Sequence, residues 1–491
     1  MKTTMRKTYM GVMALMLVFS ILLGACAPQA APTEAPAPAE PTAAPAEPTA
    51  APAEPTAAPA EPTAAPAEPT AAPETGDKPF AGTTINILLE TVPDTNYVME
   101  LLPQFEEETG IKANVEVLTY VAMYEKLVPQ LTVGEGNGAY DVIVVDKQWV
   151  GGFVGADWLT PLDDYVAQSG FDTSVYIPAM FEMLGEVNGI TYMLPFYNYS
   201  MGLYYRTDLF SDPAYQEEYK AKFGTDLKVP TTMDEFLQVA EFFKRDLDGD
   251  GNIDLYGITQ QLARGVGIHA EWANIFFSLG GWYYDDQWNP TVNGPEGVQA
   301  VNYMIDLYEK AGVPGSTAYN FDEQVAVFNQ GKAATMYSYS TMFAPLNNPE
   351  NSKVAGNVGL AVAPGGSGVN GGWGWAIPRS APNPDAAWAF MNWVESKEIA
   401  KERARLGGSP MQSWLFEEPD LIELYPFYPI EQEILATGKP VPIIAGCAQM
   451  VDVLARELSL AVSEGKDPQQ AMDDAAAEMV KLVENDPLVT K

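Results

Sequence analysis

Beyond residue 78 the apolar positions follow two periods in turn. Thr83-Thr84-Ile85-Asn86-Ile87-Leu88-Leu89 is an apolar run of strand length, and Val98, Leu101, Leu102 and Phe105 then recur at the spacing of one helical face. Gly110 suits the end of that helix, and Pro103 inside it predicts a kink. Asn114 to Leu118 predicts a second strand and Tyr124 to Leu131 a second helix. Asp141-Val142-Ile143-Val144-Val145 is continuous and apolar, as in a parallel sheet covered on both faces. Strand and helix in alternation predict an α/β fold. In such sheets ligands gather beyond the carboxyl ends of strands, where Glu90 and Asp146 stand. The plainer role for each carboxylate is to cap the helix that follows.

Before residue 79 the pattern is different. Lys2, Arg6 and Lys7 precede an apolar run from Met10 to Leu23, closed by the small residues Gly24 and Ala25, which predicts an export signal over residues 1–25. Leu23-Gly24-Ala25-Cys26 resembles the bacterial lipobox, which would make Cys26 the lipid-bearing (palmitate-type) first residue of the mature chain. From 26 to 78 a heptad Ala-Glu-Pro-Thr-Ala-Ala-Pro recurs, with Glu40, Glu47, Glu54, Glu61 and Glu68 in register. Proline at this density removes backbone donors and favours polyproline II, so the segment reads as a disordered tether able to reach about 150 Å when extended. A spacer without function fits the same composition.

Charge narrows the partners. The 491 residues carry a net charge of −38, which argues against nucleic acid or anionic lipid as a partner of the folded part. One His and two Cys leave little for His-based catalysis or for zinc and iron–sulfur sites. With Cys26 lipidated, Cys447 has no disulfide partner and reads as a buried thiol, and His269 reads as structural. No Gly-x-x-x-x-Gly-Lys-Ser/Thr sequence is present, so nucleotide hydrolysis is not expected of this chain.

Several stretches carry a family resemblance. They are Leu102-Pro103-Gln104-Phe105-Glu106-Glu107-Glu108-Thr109-Gly110, Tyr140 to Asp146, Trp158-Leu159-Thr160-Pro161-Leu162-Asp163-Asp164, Leu194-Pro195-Phe196-Tyr197 with Gly202 to Arg206, Gly331-Lys332-Ala333-Ala334-Thr335-Met336, and Gly371-Gly372-Trp373-Gly374-Trp375-Ala376-Ile377-Pro378. In this order they resemble the family 1 extracellular solute-binding proteins of ABC importers, relatives of maltose-binding protein. The resemblance implies two α/β lobes with a hinge and a ligand cleft between them. Lobe 1 is expected over 79–195 plus 372–412 and lobe 2 over 196–371 plus 413–491. Gly365 to Gly372 is glycine-rich enough to act as the hinge.

A sugar has apolar C–H faces and a rim of hydroxyls, so its receptor needs flat aromatic rings and charged or amide hydrogen-bonders. Trp373 stands where the family's Gly-Gly-Trp motif stacks on ligand, and Trp149 follows Asp146 on the loop beyond that strand. Tyr197, Tyr199, Trp272, Tyr337 and Tyr339 are further candidates, with core or surface packing as the plain alternative for each. Separately, Asp246, Asp248, Asp250, Asn252 and Asp254, with Gly251 at loop position six, follow the spacing of an oxygen cage for structural Ca²⁺. Position twelve, which should be Glu, is Gly257.

The expectation is a monomeric, non-enzymatic receptor outside the cytoplasm, anchored only by its N-terminal lipid and without a cofactor beyond possible calcium. It would pass a small carbohydrate to an ABC permease driven by a separate ATPase. An exported glycan hydrolase would need two carboxyls about 5–10 Å apart across a scissile bond, and no pair stands out. A structural or adhesive surface lipoprotein would suit the tether but not the cleft motifs.

Overall fold

The computed structural model describes residues 78–489, so the export signal, Cys26 and nearly all of the tether lie outside the described residues. Strand β1 (Thr84–Glu90), the helix Pro93–Thr109, β2 (Lys112–Leu118), the helix Tyr120–Leu131 and β3 (Val142–Asp146) follow one another as the periodicity predicts, with the second helix starting four residues earlier, and the helix Lys147–Gly155 comes next. Gly110 closes the first helix at φ 74° and donates its N–H to Glu106, while Pro103 is contained within that helix. A hairpin of β4 (Glu186–Val187) and β5 (Ile190–Thr191) turns on Asn188 and Gly189, both at positive φ as a two-residue turn requires. Then come β6 (Leu194–Asn198), β7 (Met201–Arg206), β8 (Tyr256–Thr259), β9 (Ala333–Tyr339), β10 (Val358–Ala361) and β11 (Gly372–Ala376).

Two sheets organise these strands into two lobes. The first has the order β2-β1-β3-β11-β6, with β1 parallel to β2 and β3 and with β11 antiparallel to β3 and β6. The second has the order β10-β7-β9-β8, in which β8 and β9 are parallel. Residues Val142 to Val145 are fully buried because helices cover both faces of the first sheet. In the second lobe the helix Val266–Ser278 is buried over Ile268 to Phe277; the helix Cys447–Glu464 packs against it, and the last helix, Pro468–Val483, packs on Cys447–Glu464 in turn. Asp467 caps the final helix by accepting from Gln470 N at 3.0 Å, with Pro468 in the first turn.

The chain crosses between lobes later than the sequence motifs suggest. β6 pairs with β11 as far as Asn198, so a crossing at 195/196 would cut a strand of the first sheet. Leu415, Phe416, Leu421 and Tyr428 pack into the first-lobe core, so the last return comes after them and not at 413. The crossing segments are stitched at Asn370. Its Nδ2 donates to Leu435 O at 2.9 Å, its Oδ1 accepts from Ser200, and its N–H donates to Lys439 O at 2.8 Å. Gly365 and Gly366 lie beside this junction at φ 92° and 83°, where a side chain would be strained.

Candidate functional site

Strand register alone assembles most of the predicted residues. In the first sheet Trp373 of β11 pairs with Asp146 of β3 on one side and with Tyr197 of β6 on the other, so the three side chains share one face in one row. Glu90 ends β1 on the far side of β3, and the Tyr197 hydroxyl donates to its carboxylate. Asp146 has two tasks: its Oδ1 caps the next helix by accepting from Gln148 N at 3.1 Å, and it accepts from the Tyr199 hydroxyl at 2.8 Å. Trp149 meets Trp373 edge-to-face, with centroids 5.1 Å apart at 77°, and Trp373 lies nearly parallel to Tyr197 at 6.0 Å. Tyr120, missed by the sequence reading, joins the same cluster 4.9 Å from Trp149 and faces the Asp146 carboxylate. Its signal was its place at the carboxyl end of β2.

The carboxylates sit in a dry, negative setting. Burial pushes Glu90 up to about 7, eased by the Tyr197 hydrogen bond and raised further by Asp146. Burial also raises Asp146, against the hydrogen bonds it accepts from Tyr199 and Gln148. Lys147, itself buried, is lowered to about 8 by desolvation, with Cys447 and Asp146 opposing the shift. Deeper in the second lobe and at the crossing, burial lifts Glu271 to about 8 and Glu431 to about 7. A carboxyl that holds its proton more tightly when folded adds stability that is complete below its unfolded pKa and is lost as pH rises through the folded value. The melting temperature should therefore fall between about pH 5 and 8, and Glu90→Gln should flatten part of that slope. Parallel melting curves for wild type and variant would assign the slope elsewhere.

From the second lobe Tyr339 approaches this row. It is 6.1 Å from Tyr199 and 5.4 Å from Phe321, and burial raises its hydroxyl to about 12, helped by Asp146 and Glu271. At the end of β8 the Gln260 side-chain amide makes no hydrogen bond within the described residues, and neither does Ser338 Oγ on β9. Both are polar groups of the kind that a hydroxylated guest satisfies. Trp272 and Tyr337 do not join the row. Trp272 is fully buried on the all-round buried helix, stacks on Phe276 at 4.4 Å and donates to Gly297 O at 3.1 Å. Tyr337 is fully buried against Phe236 because it lies two residues short of the strand end that carries Tyr339. Beside Trp149 and Tyr120 a groove of about 850 Å³ opens between the lobes.

The Asp-rich loop is only partly the cage its spacing suggests. Carboxylate oxygens of Asp246, Asp248 and Asp254 lie within 4.8 Å of one another. Asp250 accepts from Asn252 N at 2.7 Å and Nδ2 at 3.0 Å, and the three converging carboxylates also accept loop N–H groups, Asp246 from Gly249 and Gly251, Asp248 from Asp250, and Asp254 from Leu247. Gly257 lies in β8, where an added Cβ would come 1.9 Å from Ala240 O, so a twelfth-position Glu has no room. Three carboxylates and loop carbonyls could hold a hard cation, with water completing its shell. His269 is buried beside Tyr283, 2.8 Å away, and burial lowers it to about 4. Burial pushes the Cys447 thiol up to about 12, which leaves it unreactive.

This architecture has known relatives. Residues 91–401 match the family described as bacterial extracellular solute-binding protein. The chain belongs to that family. A probable amino-acid ABC transporter periplasmic-binding protein of Sinorhizobium fredii is 25% identical over 402 residues, covering 81% of this chain and 88% of its own. The mannitol-binding protein of Pseudomonas aeruginosa is 28% identical over 293 residues, or 58% of this chain and 63% of its own. A ribitol complex of an ABC transporter solute-binding protein from Agrobacterium radiobacter superposes with a TM-score of 0.69 at 26% identity, covering 82% of this chain and all of that one. A maltose-bound protein of T. maritima gives a TM-score of 0.68 at 24% identity, with 82% and 100% covered, and shows the shared fold. The two-lobed α/β fold is thus that of ABC solute-binding proteins, and the two solved structures named here hold ribitol and maltose. These relatives are binding proteins, and the family is extracellular or periplasmic. The row Asp146, Trp373 and Tyr197 lies on adjacent strands of the first sheet, and the crossings lie at Asn198, Asn370 and the segment after Leu435.

Proposed function

We propose that this chain is an extracytoplasmic receptor that captures a small neutral carbohydrate, a sugar, oligosaccharide or polyol, between its lobes and delivers it to an ABC permease. The observation that supports this most is the in-register row Asp146, Trp373 and Tyr197, with Glu90, Tyr199, Trp149 and Tyr120 beside it. Ring faces suit the C–H surfaces of a sugar, and the carboxylates and phenols suit its hydroxyls. Two aromatic contacts at about 0.5–1.5 kcal/mol and two charged hydrogen bonds at about 1.5–3 kcal/mol give roughly 4–9 kcal/mol, and micromolar binding needs about 8. The receptor performs no reaction; closed lobes simply bind the solute better than open ones.

A thermal-shift screen of sugars, polyols, amino acids and peptides tests this proposal. Carbohydrates or polyols should raise the melting temperature, and stabilisation by amino acids or peptides alone would overturn it. In this proposal Cys26 carries the lipid and residues 26–78 form the stalk. The full chain should then sediment with membranes and Cys26→Ser should not; equal sedimentation of both would remove the anchor.

We also propose that Asp246, Asp248 and Asp254 hold a structural Ca²⁺, because their carboxylates converge within 4.8 Å of one another. Chelation by EDTA in calcium-free buffer should lower the melting temperature by several degrees. An unmoved transition would dismiss the ion.

A further inference from the structure

We propose that Glu271, Gln324 and Thr259 form a seat for a dehydrated monovalent cation of sodium or potassium size, buried in the second lobe apart from the row of cleft residues and from the Asp-rich loop. The ion is structural, and the inference holds whatever solute the cleft takes.

Three elements meet at this place. Strand β8 ends at Thr259, the helix Val266–Ser278 brings Glu271 back to that end, and the helix Phe321–Asn329 lays Gln324 beside both. All three residues are fully buried. Glu271 Oε1 accepts from Gln261 N at 3.1 Å and from Gln324 Nε2 at 2.7 Å, and the same Nε2 donates to Thr259 O at 3.1 Å. Because both partners of that nitrogen are acceptors, the hydrogen bonds themselves decide which end of the Gln324 amide is oxygen. That oxygen, Glu271 Oε2 and Thr259 Oγ1 are all buried and make no hydrogen bond among the described residues. Buried polar groups in folded proteins have partners, so three leftover oxygens around one carboxylate call for an occupant.

Charge makes that occupant a cation. Two N–H donors on one carboxylate oxygen favour the ionised form of Glu271. Burial opposes that form, no Lys or Arg among the described residues pairs with it, and the neighbours that feel its charge are the phenols of Tyr337 and Tyr339. A buried carboxylate without an ionic partner either takes up a proton or holds a positive ion. One carboxylate oxygen with an amide oxygen and a hydroxyl oxygen offers hard donors and a single negative charge, which one monovalent ion balances. The Asp-rich loop differs, since three carboxylates converge there and suit a divalent ion. Thr259 is the register partner of Met336, three residues before Tyr339 on β9. An ion on Thr259 therefore braces the strand end from which Tyr339 approaches the cleft, and it ties β8 to both helices.

The test is the melting temperature of the full chain with EDTA present, in sodium, potassium or choline chloride at equal ionic strength. The buffer is kept more alkaline than the Glu271 carboxyl, which burial lifts to about 8, so that a proton does not compete. Sodium or potassium should raise the transition above its value in choline by about 1–3 °C at about 10 to 100 times the dissociation constant, and the rise should saturate. Glu271→Gln should abolish the difference and should melt no lower than wild type in choline, because it removes an uncompensated buried charge. Thr259→Val, which keeps the volume and loses one donor oxygen, should move the midpoint to severalfold more salt. Asp246→Asn, in the other candidate cage, should keep the full difference. Equal melting in the three salts overturns the inference and assigns the place to a proton or to water. A difference that survives Glu271→Gln, or one that Asp246→Asn removes, also overturns it.

Discussion

Trp373→Ala is expected to abolish carbohydrate binding and to lower stability by about 3–5 kcal/mol. The indole is only 3% exposed and is enclosed by Trp149, by Tyr197 and by Tyr120, whose ring lies 5.9 Å away at 86°. Truncation leaves a cavity into which backbone on three adjacent strands cannot collapse. Stability loss alone would describe any core residue, so Trp373→Phe provides the separating variant. It keeps a ring in the row and should recover most of the stability and a weakened but measurable affinity. If Trp373→Ala were destabilised yet bound carbohydrate as tightly as wild type, the indole would be core packing and not a gripping surface.

The second large effect comes from a residue with no side chain. A Cβ on Gly371 would lie 1.9 Å from Cε2 and 2.4 Å from Cζ of Tyr199, and the backbone there cannot retreat, because Gly371 O accepts from Tyr199 N at 3.0 Å. Gly371→Ala should therefore expel the Tyr199 ring and break its 2.8 Å hydrogen bond to Asp146. Loss of one charged hydrogen bond corresponds to about 1.5–3 kcal/mol, or roughly ten- to hundredfold in affinity. The cause can be isolated with a double-mutant cycle, since on a Tyr199→Ala background Gly371→Ala has nothing to strike and should cost little further. An equal penalty in both backgrounds would place its effect in the backbone instead.

The sequence was informative where local pattern and sheet geometry coincide. The alternation from Thr84 to Asp146 specified parallel β1, β2 and β3, and with them the strand-end positions of Glu90 and Asp146. It could not reveal that β11 runs antiparallel to β3, which is what brings Trp373 level with Asp146. Tyr337 and Tyr339 look equivalent in sequence because both lie on the same face of β9. Tertiary packing separates them: Tyr337 is covered by Phe236, whereas Tyr339, at the strand end, lies beside Tyr199 and Phe321. Trp272 was indistinguishable from a cleft residue because its helix is buried all round and so carries no polar face to orient it. Tyr120 was missed because the helical pattern seemed to start at Tyr124, although the helix begins at Tyr120 itself. The Asp-rich spacing was legible, but the strand that follows it, which excludes a Glu at Gly257, was an effect of tertiary packing.

The proposed receptor works by two lobes closing over a guest held against Asp146 and the ring faces. Its most direct test is a distance measurement between spin labels at Lys112 in the first lobe and Lys222 in the second, made while a stabilising carbohydrate is titrated into the full chain. The distance distribution should narrow and shift to shorter values with one-to-one saturation, and Asp146→Asn should lose both the shift and most of the affinity. Saturable binding with an unchanged distribution, or wild-type affinity in Asp146→Asn, would contradict it.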